Sequence, residues 1–109
     1  MDTPSDTLAR LEATIRQRLT ASPDTSYVAR LHSRGLPVIA RKLGEEAVET
    51  VTAALSGTHE ELTGEAADML FHLLGLLAEK GVPLAEVLAE LERREGTSGL
   101  DEKASRAAQ

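Results

Sequence analysis

The side chains with most chemistry to offer sit close together. Glu45, Glu46 and Glu49 spell E-E-x-x-E, Lys42 lies one turn before them, and Glu65 and Asp68 follow as E-x-x-D. Crowded carboxylates repel one another, so the cluster is either a solvated face or a site for cations. Spacings of i, i+3 and i, i+4 aim two carboxylates at one point on a helix. Mg²⁺ takes such oxygen ligands, completing its shell with waters and substrate phosphates. Four or five carboxylates are enough for two ions. Ions held there bridge phosphate oxygens, activate a water and steady a leaving pyrophosphate. Di-iron bundles use Glu-x-x-His pairs instead, and the chain contains none. The E-E-x-x-E run alone fits a solvated helix face. The second acidic pair turns the reading toward a cation site.

Two neighbouring helices must carry these residues. One runs from near Pro37, a residue favoured at the first helical position, to about Ser56, where Gly57 stops it. Its apolar set is Ile39, Leu43, Ala47, Val51, Ala54 and Leu55. The next opens on Thr58-His59-Glu60-Glu61, the pattern of a capping box. It carries Leu62, Ala66, Met69, Leu70, Leu73, Leu74 and Leu77, and Gly81 ends it. The short link at Gly57 makes the two antiparallel neighbours. At ~100° per residue, Lys42, Glu45, Glu46 and Glu49 share one strip, and Glu65, Asp68 and His72 share another. Both strips border their apolar faces on the same rotational side, so they can line one cleft. His72 reads as a partly buried, hydrogen-bonded histidine and not as a ligand. His32 and His59 read as surface or capping residues.

The rest of the chain is also helical. A first helix spans about Ser5 to Ala21 on Leu8, Leu11, Ile15 and Leu19. Ser26 caps a short helix from Tyr27 to Arg34, ended by Gly35, with Arg30 and Arg34 on one face. A fifth helix starts around Pro83 and carries Leu84, Val87, Leu88 and Leu91 before Arg93 and Arg94. Residues from Ser98 to Gln109 are too polar to build core and are expected to be mobile without a ligand. The expected fold is all-α: a small bundle of about five helices in a single domain, 1–96, followed by a flexible basic tail, 97–109. Aromatic content is only 2%, so the core is aliphatic and small, and a second subunit is expected to complete it.

Composition narrows the function classes. The net charge of −6, from 12 basic and 18 acidic groups, argues against nucleic-acid binding. It leaves phosphorylated small molecules open, because bound metal reverses the local sign. No apolar run reaches the ~18 residues of a membrane span. The acidic start, Met1 to Asp6, is unlike a secretory signal. The absence of cysteine excludes disulfides and thiolate metal sites and is compatible with a cytoplasmic location.

The E-E-x-x-E and E-x-x-D pair resembles the all-α NTP pyrophosphatase superfamily of the MazG type. The flanks sharpen the resemblance. Ser26-Tyr27 and Gly35, then K-L-G-E-E-A-V-E, E-A-A-D-M-L-F-H-L-L and R-R-E-G-T-S-G-L-D-E-K-A-S-R, are similar to phosphoribosyl-ATP pyrophosphohydrolases, from Leu8 to Arg106. The resemblance implies Mg²⁺-dependent hydrolysis of N1-(5-phosphoribosyl)-ATP at the α–β anhydride, the second step of histidine biosynthesis. It implies Glu46, Glu49, Glu65 and Asp68 as metal ligands. Glu45 becomes a further ligand or orients the attacking water, and Lys42 neutralises phosphate charge. Lys103 and Arg106 become cations that close over the phosphates. It also implies a homodimer and, with no zinc-ligand cysteines, a form separate from the cyclohydrolase of the next step. A pyrophosphatase for (d)NTPs and a non-catalytic helical module remain the alternatives.

Overall fold

The computed structural model describes residues 3–96 and 98–107. Met1, Asp2, Thr97, Ala108 and Gln109, at the ends of the chain and of the expected tail, lie outside the described residues. Six helices follow in order: α1 (Pro4–Arg18), α2 (Tyr27–Arg34), α3 (Leu36–Ser56), α4 (His59–Glu79), α5 (Leu84–Arg93) and α6 (Gly99–Ala107). There is no strand among the described residues, and no helix is long and apolar enough to cross a membrane.

Local chemistry sets most of the boundaries. Thr3 and Asp6 form a capping box, with Thr3 Oγ1 accepting from the Asp6 amide at 3.3 Å and Asp6 Oδ2 accepting from the Thr3 amide at 2.9 Å. α1 therefore starts at Pro4, and it ends at Arg18, short of the expected Ala21. Ser26 Oγ accepts the Ala29 amide at 3.2 Å and starts α2. Gly35 then takes φ +97°, a conformation that disfavours any side chain, and turns the chain directly from α2 into α3. Thr58 Oγ1 accepts the Glu61 amide at 3.1 Å, one half of a capping box. The Glu61 carboxylate lies against Gly57, where an added Cβ would meet its Oε2 at 2.6 Å and the Ala53 carbonyl oxygen at 3.0 Å. That glycine lets α3 reverse tightly into α4. The N-terminus of α5 has no side-chain cap of its own. Glu12 of α1 supplies one, its Oε2 accepting the Leu84 amide at 2.6 Å.

The α3–α4 hairpin is the most extensive helix pair, α1 packs on α4, and α2 on α3. Ile15, Leu74 and Leu84 form the buried centre, flanked by Leu8, Leu11, Val28, Phe71, Leu77 and Ala78. Ile15 is 1% exposed. The apolar set expected on α3 is only half inside: Ile39 is buried, whereas Val51 and Leu55 are 58% and 82% exposed. The Cα radius of gyration is 16.0 Å, above the roughly 13 Å of a compact chain this long. The open side of the hairpin is what a longer apolar period predicted as core and this chain does not cover.

The polar tail is helical as α6, and every described side chain on it is exposed.

Candidate functional site

Where α3 and α4 run side by side, three carboxylates converge. Glu46 and Glu49 come from adjacent turns of α3 and Glu65 from α4, and ligand oxygens of all three lie within 4.8 Å of one another. Thr50 fixes the two helices at this level. Its hydroxyl lies 2.8 Å from the Glu46 carbonyl oxygen and 3.1 Å from the Glu65 carbonyl oxygen. One proton serves both acceptors, so the contact is shared between the helices. The sequence signal for Thr50 is a threonine in mid-helix next to the acidic run, where such hydroxyls bond back to the i−4 carbonyl.

The electrostatics are strained in a way that suits a cation. Glu46 is held above the ordinary carboxylate value, first by burial, then by the charge and hydrogen-bonding contact of Glu49 and by Asp68; the His72 ring acts in the opposite direction. Glu65 is also raised, first by its hydrogen-bonding contact with Glu49, then by burial and by the charges of Glu49, Glu46 and Asp68. Glu46 Oε2 and Glu65 Oε2 are shielded from solvent and meet no hydrogen-bond donor. A buried anionic oxygen without a donor is costly. An all-oxygen donor set with two orphaned buried atoms matches a hard divalent cation and mismatches a soft one. Glu49 and Glu65 also line an open cleft of about 420 Å³ with Thr52, Ala53, Ser56, Gly57 and Glu61. The trio therefore has access from outside.

The other expected residues fall around this trio. Asp68 is exposed and outside it, yet its charge raises both Glu46 and Glu65. Glu45 turns away toward cations of its own helix, with Lys42 Nζ at 3.5 Å and Arg41 Nε at 3.6 Å. Lys42 and Glu45 are thus brought together with each other and not with the trio. Lys103 and Arg106 are exposed on α6. His72 is 8% exposed and engaged at both nitrogens, with Asp68 carbonyl oxygen 2.8 Å from Nδ1 and the Tyr27 hydroxyl 3.2 Å from Nε2. It is a hydrogen-bonded histidine beside the site, as its place on the apolar border suggested. His32 is an exposed residue bonded to Glu79 across 2.7 Å.

Known proteins share this chain's features along nearly its whole length. The family model described as phosphoribosyl-ATP pyrophosphohydrolase matches residues 8–95. A phosphoribosyl-ATP pyrophosphatase of Erythrobacter litoralis is 66% identical over 101 residues, covering 93% of this chain and 97% of that one. One from Rhizorhabdus wittichii is 67% identical over 100 residues, covering 92% and 94%. A third, from Dinoroseobacter shibae, is 60% identical over 99 residues, covering 91% and 97%. With the family model spanning residues 8–95 and two-thirds identity to such relatives, the chain belongs to the phosphoribosyl-ATP pyrophosphohydrolase family.

Proposed function

We propose that the chain is the phosphoribosyl-ATP pyrophosphohydrolase of histidine biosynthesis, cutting N1-(5-phosphoribosyl)-ATP into N1-(5-phosphoribosyl)-AMP and pyrophosphate with Mg²⁺. The observation that carries the reading is the convergence of Glu46, Glu49 and Glu65 within 4.8 Å in a chain of this family. Glu46, Glu49 and Glu65, together with Asp68, would hold Mg²⁺. The ion supplies positive charge to the anhydride oxygens and lowers the pKa of a water. Thr50 keeps the α3 and α4 carboxylates at one level, so the site is organised before substrate arrives. Lys42 draws substrate phosphate by charge once it leaves Glu45, an exchange that costs little because exposed ion pairs are weak. Glu45, freed from Lys42 in the same exchange and still paired with Arg41, orients the attacking water.

Two further parts belong to this reading. Lys103 and Arg106 of the 97–109 tail contact the substrate phosphates through charge-assisted hydrogen bonds. Val48, Val51 and Leu55, exposed along one face of α3, meet the same face of a second copy to give a homodimer. The small aliphatic core and the open hairpin support that assembly. No role for nucleic acid or membrane is proposed, and the location is cytoplasmic, where the nucleotide substrate is made.

Pyrophosphate release measured with phosphoribosyl-ATP and with a (d)NTP panel tests the substrate. Turnover of (d)NTPs with none of phosphoribosyl-ATP would overturn the reading in favour of a nucleotide-pool pyrophosphatase. Complementation of a histidine auxotroph lacking this step is the cellular counterpart. A chain ending at Gly96 tests the tail: unchanged KM and kcat would remove Lys103 and Arg106 from the site.

A further inference from the structure

The acidic cluster deals with phosphates and leaves the flat, neutral part of a nucleotide without a partner. Tyr27 and Phe71 are the only tyrosine and phenylalanine, and there is no tryptophan. The fold brings both together beside the cluster. Their ring centroids lie 6.1 Å apart with planes at 26°. His72 stands edge-on to each, at 5.9 Å from Tyr27 and 5.3 Å from Phe71.

The orientation of Tyr27 follows from hydrogen-bond chemistry. The Asp68 carbonyl oxygen, 2.8 Å from His72 Nδ1, can only accept, so Nδ1 carries the proton. In the neutral ring Nε2 is then an acceptor, and the Tyr27 hydroxyl at 3.2 Å donates to it. The phenol is tied at its tip and covered on one side by Phe71, yet Tyr27 is 46% exposed. Its hydroxyl is engaged by His72, whereas a solvated surface tyrosine normally keeps its hydroxyl in water. The tether also places the ring. His72 is one turn beyond Asp68, about 6 Å along the helix axis, and its Nδ1 bonds the Asp68 carbonyl oxygen, which ties the ring to the acidic turn of α4.

We propose that Tyr27 is a specificity-determining residue, its open ring face stacking on the purine of the nucleotide whose phosphates sit at Glu46, Glu49 and Glu65. The inference rests on the nucleotide reading of the site above. Every base has a π-face, so an aromatic platform needs no hydrogen-bond code. A ring fixed beforehand by His72 and Phe71 loses little freedom on binding. His72 acts as a positioning residue through Tyr27.

The chain's composition offers a direct probe. With one tyrosine and no tryptophan, ultraviolet emission above the phenylalanine band reports on Tyr27 alone. Titration with AMP and Mg²⁺ quenches that emission, whereas ribose 5-phosphate and Mg²⁺, which lacks a base, does not. Tyr27→Leu raises KM for phosphoribosyl-ATP roughly 5- to 100-fold with a much smaller change in kcat, and Tyr27→Phe restores most of the affinity by restoring the ring. Equal quenching by AMP and ribose 5-phosphate overturns the proposal, as does an unchanged KM in Tyr27→Leu. If Tyr27→Leu does not fold, the wild-type titration and Tyr27→Phe decide. Wild-type turnover is measured first: if phosphoribosyl-ATP is not cut, the substrate reading fails, and purine stacking is then judged by the quenching pair alone.

Discussion

Glutamates at two places on this molecule are held off the ordinary carboxylate value in opposite directions. At the end of α5, Glu90 accepts from Arg93 Nη2 at 2.6 Å and from Arg94 Nε at 3.1 Å. These hydrogen bonds, Arg93 first, hold its carboxyl down at about 2. Between α3 and α4, Glu46 and Glu65 are pushed up by burial and by one another's neighbours. The residue type is the same. What differs is burial, which is the first cause for Glu46, and where the chain puts its cations. Two arginines follow Glu90 within one turn, whereas Lys42 and Arg41 both engage Glu45 and leave the trio uncompensated. A compensated carboxylate contributes to the fold. An uncompensated cluster is a standing cost, which a cation from outside can relieve.

Removing a member of each group separates them most sharply. Glu49→Ala and Asp68→Ala are expected to abolish pyrophosphate release, a loss on the order of 10³-fold or more if each ligand underlies several kcal/mol of charge stabilisation. Glu90→Gln is expected to leave kcat/KM within about twofold, since surface ion pairs seldom matter beyond their own contact. Retained turnover in both Glu49→Ala and Asp68→Ala would break the comparison, because the uncompensated cluster would then have no chemical use.

Adding the ion tests the same contrast without mutation. A cation that binds only the folded site stabilises by mass action, about 2.7 kcal/mol at a hundredfold excess over Kd. For a chain this size that is a rise in Tm on the order of 10 °C. Ca²⁺-free Mg²⁺ titration followed by thermal melting measures it. Glu90→Gln should keep the rise, and Glu49→Ala should lose it. A melting curve insensitive to Mg²⁺ in the wild-type chain counts against the metal reading.

How far the sequence reached depended on the range of the interaction. Helix α2 was legible to the residue because Ser26 and Gly35 act on adjacent backbone. The start of α1 was placed to within a residue, at Ser5 against Pro4, while its end at Arg18 came short of the expected Ala21. Periodicity assigned Val51 and Leu55 to core because it counts apolar side chains without saying which chain covers them. In the site, spacing and the two matching strips brought out the acidic residues as a group, the family resemblance singled out Glu46, Glu49, Glu65 and Asp68, and the fold brings the first three together. Glu45 and Glu46 stand ~100° apart round the helix, so only one of them can face α4, and Glu46 is the one that borders the apolar face. Tyr27 with His72 and Thr50 with Glu65 were out of reach, because such contacts exist only after α2, α3 and α4 have packed.

Thr50 offers a smaller perturbation at the same place. Thr50→Val keeps the β-branched shape and removes the shared hydroxyl. The expected cost is about 0.5–1.5 kcal/mol of stability, read by denaturant unfolding, with a weaker Mg²⁺-induced rise in Tm as the two helices lose their common level. A variant with wild-type stability and an unchanged Mg²⁺ response would remove Thr50 from the account of how the trio is held.

The gentlest test is pH, applied to the metal-free chain. Glu46 and Glu65 have folded-state values raised above the ordinary 4.5. Between 4.5 and those raised values the folded chain binds more protons than the unfolded one, so stability falls as pH rises through that window. Glu90 behaves oppositely. Its folded value of about 2 lies below the ordinary 4.5, so its contribution is present above 4.5 and is lost as pH falls toward 2. Tm without metal is therefore expected to climb as pH falls through the window above 4.5, then to decline below about 4.5 as Glu90, and Asp6 held low by its bonds to Thr3, take up protons. Glu65→Gln should flatten the neutral side of that profile, and Glu90→Gln the acid side. Saturating Mg²⁺ should reverse the neutral side, because the ion requires the carboxylates ionised and competes with protons for them. A metal-free Tm that rises steadily from pH 5 to pH 8 would show that the trio carries no excess repulsion, and the contrast between the two groups of glutamates would then rest on the arginines of α5 alone.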